Sequence, residues 1–264
     1  MTTSYAPEGG MLGLIADIRF GVDTASDLIN GLINGVNSVL SALPSEQIGG
    51  IRDDVAALQR MFNDGVHELG RALDHAGDPE VLRGAGAAWA IDIGGTVSRL
   101  SGFATDNMTR ADNHWTGDAA DAYRNTLLPQ RLALNAIKTT GDEIDAILNE
   151  LANAIVNFWR DVEGALLTLL TGLAAAVAAA AGVITAPVAV GIAAGLLLVF
   201  KDAVISQINM FTDISNEISI RTSALQHRLA DDTAFPNGAW PPSAATDMSD
   251  GSITDGDDTD WHVK

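Results

Sequence analysis

Trp115-Thr116-Gly117-Asp118-Ala119-Ala120-Asp121-Ala122-Tyr123 stands between two long runs of helical periodicity. An indole, a conformationally free glycine and a set of small side chains make a turn signal followed by a helix start. Before it, Leu82, Trp89, Ile93, Val97, Leu100 and Phe103 recur at helical spacing. After it, Ile144, Leu148, Leu151, Ile155, Phe158 and Val162 do the same. Segments 79–112 and 118–163 therefore predict a helical hairpin with this stretch at its tip, kinked at Pro129.

The hairpin has a defined start. Asp78 suits the N-cap, Pro79 the first helical position, and Glu80 the positive end of the helix dipole. Gly84, Gly86, Gly94, Gly95 and Gly102 are unusual inside a helix, each costing about 1 kcal/mol relative to Ala. Either a closely approaching neighbour offsets part of that cost, or the helix breaks near Gly94-Gly95.

Further out, Ile15, Ile18, Val22, Ile29, Leu32, Val36 and Val39 form one amphipathic stripe, and Val55, Leu58, Phe62, Val66, Leu69 and Leu73 form another. Ser41 to Pro44 separates them, which predicts a first hairpin over 11–75. Gly164 to Phe200 carries no ionisable residue over 37 positions. As one straight helix it would span roughly 55 Å, more than a hydrocarbon core of about 30 Å. Gly182 and Ala186-Pro187 predict a break, giving helices near 164–184 and 188–222. Two readings of this run compete: the inserting hairpin of a membrane-inserting or pore-forming effector, using 164–200, or an Ala-rich hairpin buried in soluble protein. Small residues suit tight helix packing in either setting, and no Trp or Tyr belt anchors it to a bilayer. From Asp231 on, eight Asp and three Pro predict a disordered acidic tail. Its segment 250–260 lacks the spacing and closing Glu of an EF-hand.

The reading is thus all-α: an elongated bundle of two consecutive helical hairpins, an apolar helical hairpin and the tail. Its segments are 1–76, 77–163, 164–230 and 231–264. Apolar residues make up 47% of the 264, but aromatics only 5%, a balance weighted to the helix formers Ala and Leu. A net charge of −19 argues against nucleic acid and against electrostatic docking on anionic lipid, leaving hydrophobic contact as the route to a membrane. With zero cysteines there is no disulfide and no thiol chemistry. His67, His75, His114, His227 and His262 have no ligand spacing, and neither a nucleophile motif nor a phosphate-cradling glycine loop occurs. A non-enzymatic chain without metal or cofactor is expected. The N-terminus lacks the basic and apolar regions of a Sec signal peptide.

The pattern W-x-G-x-A-A-x-A-Y between two amphipathic helices resembles the W-x-G (Esx-like) substrates of actinobacterial type VII secretion systems. The apolar extension is similar in outline to the secretion-associated Esp proteins of that pathway. Abundant Ala, Gly and Arg, with only three lysines, fits a GC-rich actinobacterial genome. The resemblance covers about a third of the chain. It implies that Trp115, Gly117, Ala119, Ala120 and Tyr123 serve as a motif or interaction surface, closing the hairpin, meeting a partner, or both. It further implies a cytoplasmic protein exported by type VII secretion to the envelope or exterior, acting through helix–helix contacts. Its partners would be the secretion machinery, a co-secreted helical protein or a second copy, with a membrane as the alternative through 164–200. In the family such hairpins pair into four-helix bundles, and the 11–75 hairpin is the expected partner in cis. One departure stands out: the export signal Y-x-x-x-[D/E] is missing, since Leu127 lies four residues after Tyr123 and Tyr5 precedes both hairpins.

Overall fold

The computed structural model describes residues 10–105, 118–182, 184–230 and 233–241. Among these the chain is all-α, with no strand. Helix α1 (Gly10–Val39) buries Leu14, Ile18, Ala25, Ile29, Leu32 and Val36, a stripe stepping by three, four or seven. It tightens into one 3₁₀ turn, Leu40–Ala42, ahead of Pro44. Helix α2 (Ser45–Leu73) buries Ile51, Leu58, Phe62, Leu69 and Leu73. Helix α3 (Pro79–Ala87) continues through a wide π segment, Ala88–Gly94, into α4 (Gly95–Phe103). The expected discontinuity at Gly94-Gly95 is therefore a change of winding, not a stop. Helices α5 (Asp118–Ala180) and α6 (Ala186–Leu229) complete the set, followed by a 3₁₀ turn at Pro236–Gly238.

Three local details follow from sequence chemistry. Asp78 Oδ1 accepts from the backbone N–H groups of Glu80 and Val81, both at 3.1 Å, and so caps α3. The preceding Gly77 sits at φ +84°, where a side chain would be strained. The expected helices over 118–163 and 164–184 are one unbroken helix that contains Pro129. Pro129 removes one helical N–H and its ring crowds the preceding turn, a cost of about 3 kcal/mol that the rest of this 63-residue helix outweighs. Pro187 falls in the first turn of α6, where its missing donor would be unpaired anyway.

The chain divides into two compact units whose parts are not consecutive. The first comprises residues 10–82 and 150–217. Its core is built by α1, α2, the last part of α5 and the first part of α6, with Trp159, Val162, Leu166, Leu169, Leu173, Ala189 and Leu197 packed against the stripes of α1 and α2. The 11–75 hairpin thus completes its bundle mainly with the apolar run. Full burial of each large aliphatic side chain contributes about 1.5–3 kcal/mol. A Cβ on Gly21 would lie 2.6 Å from Leu166 Cδ2, and one on Gly35 would lie 3.2 Å from Ala180 Cβ. Numbers rise together along both helices, so α1 and α5 run parallel and in close contact. Trp159, 3% exposed, donates Nε1–H to the Ala76 carbonyl at 2.9 Å and ties the α2–α3 connection to α5.

The second unit comprises residues 83–149 and 218–241. Here a Cβ on Gly86 would meet Asp145, one on Gly94 comes near Lys138 and Asp142, and Ser101 bonds to Asn135. Numbers rise on one side and fall on the other, which makes α3–α4 and the start of α5 an antiparallel pair. Arg228 of α6 reaches Glu143 at 2.5 Å. In the region expected to be tail, residues 233–241 include the 3₁₀ turn, with Phe235 and Trp240 rings 6.4 Å apart. The acidic segment 242–264 lies outside the described residues.

Candidate functional site

Trp115 and Gly117 lie outside the described residues. Ala119 and Ala120 occupy the first turn of α5, and Tyr123 follows in the next. The Tyr123 carbonyl accepts from Thr126 Oγ1 at 2.7 Å, and Asp121 pairs with Arg124 at 2.7 Å. This end of α5 is locally organised by its own side chains.

The second unit packs in a way that reverses the usual placement of large and small residues. The buried face of α3–α4 is its small one, with Gly86, Gly94 and Ser101 against α5. The closest approach is at Gly141, where a Cβ would lie 2.8 Å from the Trp89 carbonyl oxygen. Glycine removes the side-chain layer that normally separates helices, and the local contact is backbone on backbone. The bulky residues are left outside. Trp89 is 40% exposed and Phe103 59%, with Ile93 and Leu100 also exposed between them. Trp89, which helical spacing places on an apolar stripe, stands on this open side, whereas Trp159 is a core residue. Leu128 and Leu132 of α5 are likewise exposed and were not singled out by sequence. Their i, i+4 spacing across Pro129 is the signal that would have found them.

The first unit has an open apolar face of its own. In α6, Val188, Ile192, Leu198 and Val199 are exposed, as is Leu167 in α5, and Ile184 lies exposed at the turn. Both helices are long and apolar enough to cross a membrane, and only 28% and 22% of their most apolar stretches are buried. At the turn between them, Thr185 Oγ1 donates to the Ala179 carbonyl at 2.5 Å, which satisfies a helix-end acceptor without a charge. Residues 40–44 and 184–185 lie at the same end of the unit, because α1 and α5 are parallel.

Among the described residues, no group of His, Cys, Asp and Glu is placed to hold a metal ion. The described histidines His67, His75 and His227 are exposed and lie apart in sequence. No family model, curated protein or solved structure matches this chain.

Proposed function

We propose that the chain is a secretion-associated helical protein of the W-x-G (Esx-like) kind that works by helix–helix association. The observation that carries this reading is the inverted packing of the second unit. Its helices meet through glycine and serine, and Trp89, Ile93, Leu100, Phe103, Leu128 and Leu132 remain uncovered. A soluble protein seldom leaves a large apolar patch open unless a partner covers it. Aromatic anchors beside aliphatic neighbours are what a docking helix needs. The missing Y-x-x-x-[D/E] signal fits export in company with such a partner. Immunoblots of culture filtrate test it, from cells with and without an active type VII ATPase. Wild type is expected in the filtrate only when the ATPase works, and Leu100→Asp is expected to remain in the cells. Equal abundance in both filtrates would remove the assignment.

A second reading rests on the first unit's face. The apolar run presents an uncharged exposed surface of Val, Ile, Leu and Ala, which suits insertion into a bilayer after the hairpin opens. Flotation with liposomes tests this with Val188→Asp and Val199→Asp, both at exposed positions. Wild type is expected to float and both variants to stay at the bottom. A wild-type protein that does not float ends this reading.

A further inference from the structure

The first unit carries an apolar pocket of about 570 Å³ between α1, α2, α5 and α6, with buried Phe62, Leu166 and Leu197 at its floor and exposed Gly65, Lys201 and Ile208 at its open side. The volume here falls within the range of about 300–1,000 Å³ typical of ligand pockets. Phe62, Phe158 and Phe200 reach it from three helices, and small residues, Ala25 of α1 and Gly65 of α2, border it where larger ones would close it. Phe158 is fixed edge-on against Trp159 and Phe211, at 4.9 and 5.9 Å between ring centres. Along α6 the lining runs from Leu197 to Ile208, about 16 Å of helix. That length suits a medium alkyl chain.

Charge defines the rest of the guest. Three charged residues border the cavity: Lys201 of α6, and Asp64 and Glu68 of α2. Glu68 is engaged by Arg71 at 2.5 Å. Lys201 and Asp64 make no hydrogen bond or ion pair among the described residues. One cation and one anion are therefore available. A purely anionic head group would face Asp64, and a purely cationic one would face Lys201. We infer that this cavity binds a single-chain zwitterionic amphiphile, its alkyl chain among the four helices and its two head-group charges against Lys201 and Asp64. The inference stands apart from the secretion reading and would survive its failure.

Calorimetric titration of the full chain with dodecylphosphocholine, kept below its micelle concentration, tests this. The expected result is saturable binding at one equivalent. Gly65→Leu is the occluding variant. A Cβ there meets nothing within 4 Å, and replacing a helix-interior glycine favours the helix, so the variant folds. It is expected to weaken binding at least tenfold. The pair Lys201→Met and Asp64→Asn is expected to weaken dodecylphosphocholine and leave dodecyl maltoside unchanged. Val199→Asp, on the exposed face, is expected to bind as wild type does. Absent or non-saturable binding overturns the inference, as does wild-type affinity in Gly65→Leu. Loss of binding in Val199→Asp also overturns it, by moving the contact to the outer surface.

Discussion

At the scale of single residues, the glycines sort into two kinds that look alike in sequence. Gly141 faces the Trp89 carbonyl so closely that an added Cβ would stand 2.8 Å from it, and backbone has little freedom to retreat. Gly50, inside α2, has open space where a Cβ would go. Each substitution to Ala gains up to about 1 kcal/mol of helix preference. At Gly141 the clash adds an overpacking penalty of about 1–3 kcal/mol. Urea unfolding should show Gly50→Ala stabilised by about 0.5–1 kcal/mol and Gly141→Ala destabilised. A stabilised Gly141→Ala would mean the two helices do not approach as described. Asp78 as the cap and Pro79 as the first helical residue were legible in advance, because capping is local chemistry. The role of Gly141 was not, since it depends on a carbonyl some fifty positions away.

Helical elements were legible from periodicity, but the face each one buries was only half so. On α1 and α2 the bulky stripe is the core stripe. On α3–α4 the bulky stripe faces out and the glycine face goes in. Hydrophobic attraction is non-directional, so a stripe announces that it will be covered without naming what covers it. For the same reason the N-terminal hairpin's partner could not be read, and it is mainly the apolar run. The cavity was invisible in sequence, because it is what four neighbouring surfaces fail to fill. Burial also separates two residues of the apolar run that composition treats alike. Leu197 is 6% exposed within the core and Val199 is 63% exposed. Leu197→Asp buries an unpaired charge and should lose more than about 3 kcal/mol, whereas Val199→Asp should stay within about 0.5 kcal/mol of wild type. Thermal melts followed by circular dichroism would check the pair; equal losses would place both residues in the core.

For the whole molecule, the formal charge of −19 opposes compaction by self-repulsion. Raising ionic strength from 0.01 to 0.15 M shortens the Debye length from about 30 to about 8 Å. Exposed ion pairs such as Arg19–Asp74, at 2.9 Å, lose little by this, since each contributes at most about 1 kcal/mol. Added salt should therefore raise Tm by a few degrees in a calorimetric scan. A Tm that falls with salt would show that the ion pairs outweigh the repulsion.

The first unit joins α1 and α2 to helices supplied much later in the chain. A ribosome adds about 5–20 residues per second, so α2 is finished roughly ten seconds before the first part of α6 exists. Throughout that interval the stripes of α1 and α2 have emerged without the surfaces that will bury them. Their final assembly is a long-range closure, which is slow compared with helix formation. The nascent protein therefore offers a chaperone a timed opportunity that the finished fold withdraws.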